Sequence, residues 1–132
     1  MRNIEELVER LLEVFNDRRA DKPLSKRASM QISMVGKVIS MFQLELEYYI
    51  MRESNPETPA IDFLETGFEE TGFISKENLK QLEYLATILN SHREWMNKLS
   101  DEVATTIEVD AVNSMQRDVE WVINQLKKLL GN

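Results

Sequence analysis

The chain has 132 residues, a formal net charge of −7, and no cysteine. That length fits one domain over residues 1–132, able to bury roughly two-thirds of the surface its unfolded form exposes. Without cysteine, disulfides, thiolate zinc sites and a cysteine nucleophile are excluded, and a single histidine excludes any site needing several from one chain.

The charge is unevenly placed. Residues 1–53 balance their acidic and basic side chains, and residues 54–132 carry the whole deficit. That balance opposes long-range attraction to a phosphate backbone, so nucleic acid is disfavoured except through a local patch. The stretch Met1-Arg2-Asn3-Ile4-Glu5-Glu6 is charged from its second residue and lacks the apolar stretch of a signal peptide. No apolar run approaches the ~18 residues of a bilayer span. A soluble, cytoplasmic protein with no membrane partner is expected.

The first element is an amphipathic helix. Ile4, Leu7, Val8, Leu11, Leu12 and Phe15 form one stripe at 3.6-residue spacing. Asn3 with Glu6 makes a capping pair, and the segment Asp17–Leu24 ends the helix, because Pro23 drives Lys22 out of helical geometry.

A second helix is expected from Ser25 to about Glu53. Ala28, Ile32, Val35, Val38, Ile39, Phe42, Leu46, Tyr49 and Ile50 make one stripe. Met30, Met34, Met41, Leu44, Tyr48 and Met51 add apolar surface on other faces. A helix apolar nearly all round belongs in the middle of a bundle or in an oligomer interface, and homodimerisation is expected on that ground. Gly36 weakens the helix by about 1 kcal/mol against Ala and marks a candidate close crossing.

Ser54-Asn55-Pro56-Glu57-Thr58-Pro59 reads as a loop, with Thr58 and Pro59 opening a short helix towards Gly67. A small tandem repeat follows, Glu65-Thr66-Gly67-Phe68 and Glu70-Thr71-Gly72-Phe73, whose period of five fits neither helix nor strand. Ser75 then caps a long helix with Leu82, Leu85, Leu89, His92, Met96, Leu99 and Val103 in a coiled-coil-like seam. The last helix carries Val112, Met115, Val119, Val122, Leu126 and Leu129, with Gly131 as its stop. The division between these two helices is expected at a turn near Ser100, with Asp110 as the other candidate. The fold expected is therefore all-α: an antiparallel bundle of four long helices plus one short one.

The chemistry-bearing residues do not converge. A carboxylate-metal bundle needs inward Glu residues and Glu-x-x-His pairs, and Leu89 stands three residues before His92. Glu6-x-x-Glu9 lacks the second half of a carboxylate phosphohydrolase site. Gly72 in calcium-loop register would leave Gly67 and Asn78 at the two key carboxylate positions. No catalytic, cofactor-binding or metal-ligating residue is assigned and no cofactor is expected. His92 reads first as a structural, amphipathic side chain at a rim position of the seam with one nitrogen satisfied locally, and second as a pH-sensitive group.

Two surface constellations remain. Glu53 to Glu70 is acidic without a Lys or Arg and is interleaved with aromatics, so Phe63, Glu65, Phe68, Glu69, Glu70 and Phe73 form the candidate partner-binding set. Arg18, Arg19, Lys22, Lys26 and Arg27 form the alternative, an anion site at the first inter-helix turn. Its plainer explanation is charge complementing the end of the first helix. Trp95 and Trp121 lie one position off their stripes and mark either a self-association surface or a wide core edge. The leading functional expectation is a non-catalytic protein-interaction module: a regulator, an inhibitor or a small assembly subunit. The alternatives are a nucleic-acid-associated subunit using residues 18–27 and a carboxylate-metal hydrolase.

Overall fold

The structure is a computed structural model that describes residues 4–54 and 73–131. Four helices account for most of them: α1 (Ile4–Asp17), α2 (Lys26–Ser54), α3 (Lys76–Met96) and α4 (Thr106–Leu129). No strand occurs among the described residues. The all-α bundle expected from periodicity is what forms. The expected short helix near residues 59–67 and the capping residue Asn3 lie outside the described residues.

Local chemistry sets the boundaries. The Ser25 hydroxyl accepts from the Ala28 N–H at 3.1 Å, opening α2, and the Ser75 hydroxyl accepts from the Asn78 N–H at 3.1 Å, opening α3. At the far end of α4, Gly131 adopts φ +79°, the left-handed conformation that glycine takes up without steric cost.

The division between the last two helices falls at residues 97–105, so a turn at Ser100 is present. Neither Ser100 nor Asp110 caps α4, however. Thr105 does, its hydroxyl facing the Glu108 N–H at 3.4 Å. The β-branched run Val103–Val109 is thereby split, with Val103 in the connection and Ile107 and Val109 inside the helix. Leu99 and Val103 drop out of the α3 helical seam as a result, since α3 ends at Met96.

Each helix packs against two others: α1 on α2 and α3, and α4 on α2 and α3. The core is one cluster, with Leu7, Leu11, Phe42, Leu46, Leu85 and Leu126 among its most buried members. The sequentially consecutive α2 and α3 are diagonal rather than adjacent. The arrangement also departs from a purely antiparallel bundle. Phe15 stacks on His92 and Arg18 lies over Trp95, so contacts climb α1 and α3 in the same sense. Met115 approaches Gly36 while Asp118 meets Ser40 at 3.5 Å, so contacts climb α2 and α4 in the same sense too. Helical periodicity specifies which face is buried, and leaves open which neighbour buries it.

Candidate functional site

Two features stand out from this frame. One is a polar cluster sealed inside the bundle end, and the other is an apolar line left outside it.

The cluster is centred on Glu108, in the first turn of α4. The Thr105-x-x-Glu108 spacing is that of a capping box, in which the glutamate turns back to its own helix start. Here the carboxylate meets other elements instead. Arg18, just past the end of α1, donates from Nε to Glu108 Oε2 at 3.0 Å and from Nη2 to Oε1 at 2.9 Å, a two-pronged pair. His92 of α3 places Nε2 3.2 Å from Oε2. Opposite a carboxylate oxygen, Nε2 is the nitrogen that carries the hydrogen. All three side chains are sealed, at 2% exposure for Arg18, 5% for His92 and none for Glu108.

The remaining guanidinium donors reach the two connections at this end of the molecule. Nη2 donates to the Val103 carbonyl at 2.8 Å, and Nη1 donates to the carbonyls of Arg19 and Lys22. One side chain therefore ties the α1–α2 turn to the α3–α4 turn. Aromatics close the cluster from above. The Phe15 ring stacks on His92 with centroids 3.7 Å apart, and Trp95 lies 5.3 Å from His92 and 5.5 Å from the Arg18 guanidinium carbon.

For Glu108, burial opposes ionisation, but the hydrogen bonds from His92 and Arg18 and the adjacent Arg18 charge outweigh it. The carboxyl is held below its ordinary value. The result is a fixed ion pair with its valences filled by protein. It resembles a structural clamp, with no open face towards a reactant. Among the described residues, no group of three or more His, Cys, Asp or Glu side chains is placed to hold a metal ion.

The residues singled out from sequence fall in different places. Phe63, Glu65, Phe68, Glu69 and Glu70 lie outside the described residues. Phe73 is described and is 4% exposed, its ring packed on Phe42 with centroids 4.9 Å apart. It is a core residue, inaccessible to a docking partner in this conformation. Of the basic turn, Arg18 is consumed by Glu108. Arg19, Lys22 and Arg27 line an open groove of about 350 Å³ between α1 and α2, and Lys26 is exposed. Arg19 also meets Asp21 at 3.3 Å, and that contact lowers the pKa of the Asp21 carboxyl. His92 is in the core rather than at a rim, and Trp95 serves as the lid of the clamp.

The second feature is the outer face of α2. Met30, Met34, Met41 and Leu44 are exposed and fall, with Lys37, on a line spaced alternately four and three residues, which continues through Tyr48 to exposed Met51. At 100° per residue this line is diametrically opposite Ile32, Val35, Ile39, Phe42 and Leu46, the buried face of the same helix. Met30 is 67% exposed and Leu44 53%. Tyr48 is buried, so the accessible line runs from Met30 to Leu44 and resumes at Met51.

Glu108 and its pairing with Arg18 were invisible to periodicity, which placed only His92, in the seam of α3. The available signal was the Thr105-x-x-Glu108 spacing, which reads as a cap and names no distant partner. No family model, curated protein or solved structure matches this chain.

Proposed function

We propose that the protein is a non-catalytic helical interaction module whose contact surface is the outer face of α2. The observation that carries this reading is the exposed line of Met30, Met34, Met41, Leu44 and Met51, set opposite the core face of its own helix. Large apolar side chains scattered singly on a surface need no explanation, whereas Met30, Met34, Met41 and Leu44, interrupted by Lys37 alone, fall in a row at coiled-coil spacing, the pattern of a surface that a partner covers. Methionine suits the purpose, because its unbranched, polarisable side chain adapts to a partner's contours. The same face suits self-association.

The test is the double substitution Met34→Glu/Met41→Glu in the full chain. Both positions are exposed, so thermal unfolding by circular dichroism should stay within about 0.5 kcal/mol of the parent while association is lost. Association unchanged by the two charges discards this face.

A second reading has one observation in its favour. Arg19, Lys22 and Arg27 line the groove at the α1–α2 turn, where an anion or a nucleic-acid phosphate would meet several positive charges. Against it stand the net charge of −7 and the commitment of Arg18 to Glu108. A low-salt mobility shift abolished by neutralising Arg19, Lys22 and Arg27 would promote it. The carboxylate-metal reading draws no support from any carboxylate grouping among the described residues.

A further inference from the structure

We infer that the cleft between α3 and α4 is a binding site for a small zwitterion of the amino-acid or short-peptide class. The site takes nothing from the outer face of α2 and goes beyond the interaction reading above. Three observations converge on it.

The first is what lines the cleft. Two helices packed side by side ordinarily meet through apolar side chains, and the buried stripes of α3 and α4 do so. Beside that seam lies an open cleft of about 760 Å³, and the described side chains that line it are all polar. Its volume falls in the range of small-molecule sites. Arg93 comes from α3, and Asp110, Asn113, Gln116, Arg117 and Glu120 come from α4. The last four follow at steps of three and four residues, on one face of α4 over about 10 Å of helix axis.

The second is a pair of unmet acceptors in that lining. Gln116 is only 6% exposed. Its Oε1 and the Oδ1 of Asn113 are shut off from water and meet no hydrogen-bond donor among the described residues. Turning the Gln116 amide over does not mend this. Its Nε2 donates to Glu120 Oε1 at 3.3 Å, and the reverse orientation would set oxygen against carboxylate oxygen. A buried acceptor without a donor costs stability, and folded proteins keep few of them. A ligand that brings N–H donors into the cleft completes both.

The third is the charge of the lining. The carboxylates of Asp110 and Glu120 share the cleft with the two oxygens, which favours a cationic donor, an ammonium, over a neutral one. Arg93 and Arg117 supply the opposite sign for an anionic group on the same molecule. The Arg93 guanidinium is held in place, donating from Nη2 to Asn90 Oδ1 at 2.7 Å. Arg117 is exposed and ready to close on a carboxylate. Two positive and two negative side chains cancel, so a molecule whose own charges cancel fits better than a polyanion or a polycation.

The test is a titration of the full chain with glycine and, separately, with triglycine, followed by ¹⁵N–¹H correlation spectra. The two probes carry the same end groups at different separations. At least one should shift the Asn113 and Gln116 side-chain amides saturably, with a dissociation constant of about 10 mM or tighter. Tighter binding of glycine assigns the site to free amino acids, and tighter binding of triglycine assigns it to short peptides. The N-acetylated and C-amidated forms of the better probe lack the ammonium or the carboxylate, and each should bind roughly tenfold more weakly. Arg117→Gln changes an exposed side chain, so it should keep the fold and weaken the better probe by a similar factor. Gln116→Met removes the unmet oxygen at nearly constant volume. It should weaken binding and also raise Tm by roughly 3–8 °C, a gain that a residue placed for structure alone would not give. No saturable shift with either probe would overturn the inference. So would acetylated or amidated forms that bind as tightly as the parent probe, or a Gln116→Met chain less stable than its parent.

Discussion

Substituting Arg18 by Met tests how much of the fold hangs on the buried clamp. Methionine keeps most of the aliphatic stem beneath Trp95 and removes the charge and every donor. Glu108 then retains only the His92 hydrogen bond, at 3.2 Å, inside a site with no exposure to water. The carbonyl of Val103 and those of Arg19 and Lys22 lose their common donor in the same step. Removing one partner of a buried pair costs about 3–5 kcal/mol, because the surviving charge is stranded. For a domain of this size that corresponds to a fall in Tm of roughly 10–20 °C.

The dependence on pH gives the prediction its sign. The folded Glu108 carboxyl sits below its ordinary value of 4.5, so its contribution to stability is full above that value and fades as pH falls through the lower folded value. In Arg18→Met the Arg18 share of that lowering is gone while the His92 hydrogen bond remains, and a neutral carboxyl has no need of a counter-charge. The gap in stability between parent and variant should therefore be widest near neutrality and should narrow as the medium is acidified below about pH 4.5. The assay is urea unfolding followed by circular dichroism at several pH values. Adding Glu108→Leu to Arg18→Met should recover part of the loss, since an apolar pair carries no stranded charge. A penalty under about 1 kcal/mol at neutral pH, or one that does not change with acidification, would refute the clamp.

Other substitutions separate further parts of the account. Arg18→Lys keeps the charge but cannot form the two-pronged pair while also reaching Val103, so it should still cost about 1–3 kcal/mol in denaturant unfolding. His92→Phe preserves a ring against Phe15 and deletes the hydrogen bond to Glu108, and a loss of about 1–3 kcal/mol is expected from the same measurement. Gly36→Ala should stabilise by about 0.5–1 kcal/mol: its new Cβ would stand 3.6 Å from the Met115 methyl, an ordinary contact, and the helix interior gains in propensity. A destabilised Gly36→Ala variant would instead make that α2–α4 crossing a tight one. Thr105→Ala should cost about 1 kcal/mol by uncapping α4.

Periodicity alone was enough to make this chain helical and to pick most of its core. The stripes Ile4–Leu11, Ile32–Leu46, Leu82–Met96 and Val112–Leu126 turn inward as read, because a 3.6-residue repeat has only one apolar face to bury. The serine at position 75 was legible as a cap for an equally local reason: a hydroxyl three residues before a free N–H acts within one turn. Leu129, at the end of its stripe, is exposed, because the last turn of α4 runs past the core.

What the tertiary structure decided is everything that depends on residues distant in sequence. Arg18 and Glu108 are separated by ninety positions, and no spacing rule could join them. Arg18 looked like one of five surface cations, and Glu108 like a capping residue. Once α1 and α4 both pack on α3, the end of α1 and the start of α4 bring both residues into one dry site. Phe73 looked like an exposed loop aromatic and became core through Phe42 for the same reason. The apolar residues of α2 show the converse: the stripe Ile32–Leu46 was legible as core, whereas Met30, Met34, Met41 and Leu44 are apolar too and only the packing of the other helices left them outside. Local pattern dictates which surfaces avoid water, whereas the path of the chain determines which surfaces meet.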